Sequence, residues 1–199
     1  MDLGVLQLTV APYLWYRDPM PQKTLAVANF FVERGSAEGI PIDPLKLQKL
    51  VYFGHGWHLA VTGEPLIDEC IEAWPYGPVV PTIYHEFKRY GYSPITSPAT
   101  EFVLREDVAP ARTVVLSDGY WTTPRVTDSR ALTVLEKVWR EYGKFSGVYL
   151  SNISHTAGSP WDVAWKKAKA GGKVRGADIP DHEMRQYFYA AGLRERSRR

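Results

Sequence analysis

Apolar positions along the chain recur mostly with helical spacing, in segments separated by glycine and proline. From Lys23 to Arg34, Leu25, Ala28, Phe31 and Val32 fall on one helical face, and Gly35 is the expected stop. Asp43-Pro44 is a strong start signal, because aspartate accepts free backbone N–H groups and proline suits the first helical position. The helix it opens is predicted to run to about Thr62, before Gly63. Its buried stripe would be Leu47, Leu50, Val51, Trp57 and Val61. Gly54 and Gly56 lie inside it. Each costs a helix about 1 kcal/mol against alanine, which predicts a packing reason, namely close approach of another backbone.

Beyond this helix, Ile67 to Trp74 reads as extended, and Pro75-Tyr76-Gly77-Pro78 as a rigid turn in which Gly77 permits positive φ. Pro81 opens a third helix to about Tyr90, stopped by Gly91, with Ile83, Tyr84, Phe87 and Tyr90 on its apolar face. From 92 to 126 the pattern becomes irregular. A small β element is expected there, with strands near 112–116 and 120–122 and Ser117-Asp118-Gly119 as the turn. Asp128 caps a fourth helix to Tyr142, bearing Leu132, Leu135, Val138, Trp139 and Tyr142 on one face. Ser146 to His155 reads as helical. Ser159-Pro160 starts a helix with Trp161 and Trp165 that ends before Gly171-Gly172, and Pro180-Asp181 starts the last, with Met184, Tyr187, Phe188 and Ala191 as its stripe. The expectation is a mainly α fold: a single compact helical domain of six or seven helices, with a small β element inserted around 100–125. Residues 1–22 read as an irregular lead-in, 23–193 as the helical domain with a variable insertion at 92–126, and 194–199 as a basic tail.

Composition changes this picture in four places. Aromatic residues are abundant, with seven Trp, twelve Tyr and seven Phe among 199 residues, so some are available for an interface. The single cysteine, Cys70, excludes an intrachain disulfide and suits a reducing cytoplasm. It is flanked by Ile67 and Ile71 and is expected to be buried and inert. No apolar stretch reaches membrane-spanning length and the N-terminus lacks a basic signal-peptide region, so a cytoplasmic protein without a membrane partner is expected. The net charge is +2, but four of the arginines lie in the last six residues, so the body is nearly neutral.

A search for chemistry returns little. His55 and His58, three apart on a helix, could face one ligand and form a zinc site with Cys70 or His85. No second cysteine and no HExxH spacing support it, so both are expected to be polar helix positions. Nothing near Cys70 activates a thiolate. Ser151, Ser154, His155 and Ser159 match a triad by composition alone, without a GxSxG elbow, and Ser159 reads as a helix cap. No Walker A loop and no GxGxxG after a strand is present. Glu72 is expected to pair with Lys49 or Lys88 or to accept N–H groups of the turn. Lys166 to Lys169, with Lys173 and Arg175, is the best basic patch, and a solvated face is its default reading. No catalytic residue, cofactor or metal is therefore expected, and nucleic acid is not an expected partner.

One ordered series, Leu47-Gln48-Lys49-Leu50-Val51-Tyr52, Trp57-His58-Leu59, Gly63-Glu64-Pro65-Leu66, Glu72-Ala73-Trp74-Pro75-Tyr76-Gly77-Pro78-Val79 and Tyr84, resembles the Panacea domain, also described as SocA-like or GepA-like. Leu150-Ser151 to His155 and Pro160-Trp161-Asp162 fit the same pattern. The resemblance implies an antitoxin of a bacterial or phage toxin–antitoxin system that binds a toxin encoded next to it, with protease handover as a further route and a homo-oligomer as a further state. It singles out Tyr52, His58, Glu72, Trp74, Tyr76 and Tyr84 as family-core or partner-binding candidates. A DNA-binding regulator and, behind it, a metal-dependent hydrolase are the alternatives. The surface that chooses the toxin is expected in 92–126 and the last helix.

Overall fold

The structure, a computed structural model, describes residues 20–104, 119–172 and 176–196. Its first helix, α1 (Thr24–Glu38), runs through Gly35 and ends instead at Gly39, whose φ of 67° is a left-handed cap. Gly35 is small for a packing reason: a Cβ there would stand 2.5 Å from the Ile42 side chain and 2.7 Å from the Ile40 carbonyl oxygen. The second helix, α2 (Pro44–Thr62), has the expected bounds. Asp43 Oδ1 accepts the Lys46 N–H at 2.8 Å, and Gly63 closes the other end with a φ of 83°.

A tight hairpin follows, β1 (Ile71–Trp74) and β2 (Gly77–Val79), with Trp74 opposite Gly77 and Pro75-Tyr76 as its turn. Then come α3 (Pro81–Phe87), a 3-10 turn over Lys88–Tyr90 that ends at Gly91, and a separate ribbon of β3 (Glu101–Leu104) and β4 (Gly119–Thr122). Phe102 pairs with Trp121 across that ribbon. The strand expected at 112–116, with Ser117-Asp118 of its turn, lies outside the described residues. Gly119, expected in the turn, begins β4, and β3 was not anticipated.

The remaining elements are α4 (Ser129–Tyr142), α5 (Gly147–Ser154), α6 (Pro160–Ala170), β5 (Ala177–Ile179) and α7 (Asp181–Arg196). Asp128, Ser146 and Ser159 cap α4, α5 and α6 with their side chains. The short β5, also unanticipated, adds to β1, giving an antiparallel sheet in the order β2-β1-β5. The fold is thus mainly helical, with seven α-helices among the described residues. None of these helices is long and apolar enough to cross a membrane.

The helix α2 is the axis of the domain. Every residue from Lys46 to Leu59 is buried, because α1, α3, α4, α5, α7 and β2 pack around it. The expected stripe is therefore too narrow at this helix, and its last member, Val61, is only half-buried. The core is aromatic. Phe53 stacks on Tyr142 at 4.6 Å, Trp57 donates to the Tyr142 hydroxyl at 3.1 Å, and Phe188 of α7 packs edge-on against Tyr52, Phe53 and Trp57. Side chains, rather than a backbone, explain the two helix glycines. A Cβ at Gly54 would meet Leu135, and one at Gly56 would overlap the Phe188 ring. Fully buried Asn29 ties α1 to the 92–126 segment, donating to the carbonyls of Ala99 and Pro124 and accepting the Ala99 N–H.

Candidate functional site

The β1–β2 hairpin is gripped along every second carbonyl from Trp74 to Val80. Trp161 Nε1 of α6 donates to the Trp74 carbonyl at 2.9 Å, and Ser151 Oγ of α5 donates to that of Tyr76 at 2.9 Å. Lys49 Nζ of α2 donates to the carbonyl of Pro78 at 3.0 Å, and Gln48 Nε2 to that of Val80 at 3.1 Å. The Gln48 amide also accepts the Val80 N–H at 2.8 Å, so it continues the ladder as a strand would. Buried backbone groups need such partners, and here three helices supply them by side chain. Ser154 and Ser159 bond the carbonyls of Ser151 and Ser154, fixing α5 against α6. His155 stacks on Trp161 at 3.8 Å.

What this clamp holds outward is aromatic. Tyr76 at the tip is 78% exposed, and exposed Tyr84 of α3 packs on half-buried Trp74 with ring centres 4.9 Å apart. Trp74 Nε1 donates to Glu72 at 2.6 Å. Four of the six candidate residues, Glu72, Trp74, Tyr76 and Tyr84, therefore gather at the hairpin. The other two do not. Tyr52 is buried beside Phe188, where burial first, then Tyr187 and Tyr142, push its phenol far up. His58 is buried at the far end of α2, its Nδ1 bonded to the Glu64 carbonyl at 2.8 Å, and burial above all lowers its pKa.

Several expectations change. Glu72 bonds the Trp74 indole, not Lys49 or Lys88; Lys49 has turned into the core toward the turn. Cys70 is exposed, because it precedes buried Ile71 and points to the other side of the strand. Burial first, then the carboxylates of Asp178, Asp181, Glu72 and Glu69, raise its thiol pKa, the opposite of activation. His55 is wholly buried, its Nε2 3.0 Å from Asp181 at the start of α7, whereas His85 is a surface neighbour of Lys88. Among the described residues, no three His, Cys, Asp or Glu side chains are grouped to hold a metal ion. Ser159 is a helix cap, as expected. Lys166 pairs with Asp162 at 2.7 Å and Lys169 lies over the Trp165 ring, whereas Lys173 and Arg175 lie outside the described residues.

Sequence reasoning missed the clamp as a unit. The signal was present in Gln48-Lys49, two long polar residues set among apolar Leu45, Leu47, Leu50 and Val51. A second exposed aromatic surface was also missed: on the β3–β4 ribbon, Phe102, Leu104 and Trp121 face outward, the last 69% exposed.

The family model described as antitoxin SocA-like, Panacea domain, matches residues 47–162. Antitoxin SocA of Caulobacter vibrioides (strain NA1000 / CB15N) is 35% identical over 147 residues, covering 74% of this chain and 72% of that protein. The chain belongs to the SocA-like Panacea family. The family match opens one residue before Gln48 and closes one residue after Trp161, so the Panacea segment brackets the whole clamp. The stop of α2 at Gly63 and the start of α6 at Ser159-Pro160 lie within it too. No solved structure matches the chain significantly.

Proposed function

We propose that this chain is a cytoplasmic antitoxin that neutralises a toxin encoded beside it by direct protein contact, without catalysis or a cofactor, and that the clamped hairpin is its contact surface. Membership of the SocA-like Panacea family supports the antitoxin role. The observation that carries the contact surface is Tyr76, 78% exposed at the tip of a hairpin held by Gln48, Lys49, Ser151 and Trp161. An aromatic side chain on a preorganised support loses little freedom on binding and is a usual energetic anchor. Trp74 and Tyr84 widen the patch. The β3–β4 ribbon, with Phe102, Leu104 and Trp121, and the exposed Tyr189 and Leu193 of α7 supply the surfaces that select one toxin. Occlusion of the toxin's active surface follows from such contact.

The test is expression of the neighbouring open reading frame alone and together with this chain. Growth arrest by the neighbour alone, relieved by co-expression and accompanied by co-purification, is expected. A neighbour that is harmless alone, or a toxic one that this chain neither rescues nor binds, overturns the reading.

A further inference from the structure

Lys49 differs from the rest of the clamp. Its side chain is completely enclosed, and its amine donates to one neutral acceptor, the Pro78 carbonyl at 3.0 Å. No carboxylate lies within ion-pair distance of it among the described residues. The hairpin presses directly upon it: a Cβ at Gly77 would stand 2.7 Å from Nζ and 3.0 Å from Ser154 Oγ. The titratable group turned toward it is His155, which closes the C-terminal end of α5 and whose pKa is lowered by burial first and then by the Lys49 charge. The hairpin contributes only backbone and Gly77 there, and α6 contributes Trp161, stacked on His155. An ammonium in such a place is poorly compensated, whereas a neutral amine fits it.

We propose that Lys49 is a positioning residue for partner recognition: its amine holds the Pro75–Pro78 turn, and with it Tyr76, in the shape the partner meets, and taking up a proton loosens that hold. This rests on the hairpin being the contact surface. The neutral amine donates to Pro78 without a buried charge. A proton makes it a buried cation that water solvates better, and displacing the turn that covers it leads it to water. Burial holds the amine at about 7, well below the ordinary lysine value. The closed turn therefore binds the proton less readily than the open one. Closure is weakest at and below about pH 7 and strengthens as pH rises from there toward the ordinary lysine value, by up to about tenfold per pH unit.

Amide hydrogen exchange tests the latch without any partner. Protection factors are measured for Val80, which donates to Gln48, and for Leu135 in α4, from about pH 6.5 to about pH 9, in the wild type and in Lys49→Met. Val80 protection is expected to lie below that of Leu135, which is released only with the core, and to rise by up to about tenfold per pH unit in the wild type while staying flat in Lys49→Met. A flat wild-type profile, or Val80 protection equal to that of Leu135 throughout, overturns the proposal, since in the second case the lysine is reached only by unfolding the whole domain. Should Lys49→Met not fold, carbon-13 NMR of the lysine Cε groups in the wild type decides instead. A lysine titrating near 7 together with the Val80 change supports the latch, and the absence of one overturns it. In the partner arm, the affinity for the neighbouring gene product is measured over the same pH range. It is expected to increase with pH in the wild type and not in Lys49→Met, and a pH-independent affinity overturns the recognition role. Absence of binding at every pH counts against the antitoxin reading, and a flat exchange profile counts against Lys49.

Discussion

Replacing Gly56 by alanine tests whether this glycine is there for packing. In an isolated helix the change is favourable by about 1 kcal/mol. In this fold the new methyl would overlap the Phe188 ring, whose Cζ would be 2.6 Å away. The ring has nowhere to go: it is fully buried, with Trp57 at 5.3 Å, Tyr187 at 5.5 Å, Tyr52 at 5.7 Å and Phe53 at 6.2 Å between ring centres. Overpacking costs about 1–3 kcal/mol, and a collision with an immobile ring belongs at the upper end. Gly56→Ala should therefore destabilise by roughly 2 kcal/mol net, after the helix gain is subtracted. Gly54→Ala is the control. Its Cβ would be 3.0 Å from Leu135 Cδ2, the end of a side chain that can yield, and otherwise in ordinary contact, so packing and helix terms should nearly cancel. Urea denaturation with unchanged m-values reads both. Adding Phe188→Leu to Gly56→Ala should recover part of the loss, a non-additivity expected of residues in contact. A Gly56→Ala protein at least as stable as the wild type would refute the packing account.

Other consequences follow from the clamp and the buried polar groups. Gln48→Leu leaves the Val80 N–H without its partner and the Val80 carbonyl with the Tyr84 N–H alone; a loss of roughly 1–3 kcal/mol by urea denaturation is expected, and a change below about 0.5 kcal/mol would contradict the clamp. Asp128→Ala removes the acceptor of the Arg130 and Ala131 N–H groups at the start of α4 and should cost about 1 kcal/mol, seen as a lower urea midpoint. His58 has its folded pKa lowered chiefly by burial. The unfolded chain therefore takes up its proton first, and this histidine's contribution is present above about 6.5 and lost as pH falls through the folded value. Stability measured against pH should fall on that acid side, and less steeply in His58→Gln.

Local chemistry made much of the fold legible. Asp43-Pro44, Asp128 and Ser159-Pro160 set helix starts because the cap and the first turn are adjacent in sequence. Gly35 misled because its size answers to Ile42 across a loop, while the true stop is four residues on at Gly39. The strand β5 is three residues long, too short to show alternation, and it exists because β1 offers an edge. The periodicity of α2 understated its burial, because a helix packed on all sides has no polar face to define a stripe. At the candidate site, the hairpin turn and its aromatics were readable from Trp74 to Tyr84. The clamp was not, since Gln48 meets Val80, Ser151 meets Tyr76 and Trp161 meets Trp74 only across the fold.

Those long-range bonds give the clamp its meaning: conformational freedom removed from the hairpin in the free protein need not be lost on binding. The most direct measurement is the affinity of the neighbouring gene product for the wild type and for Tyr76→Ala, taken with the urea stability of both. Tyr76 is mostly exposed, so the substitution should leave stability within about 0.5 kcal/mol while weakening toxin binding by tenfold or more, a loss of about 1.4 kcal/mol. Unchanged affinity at unchanged stability would contradict the hairpin as the contact surface.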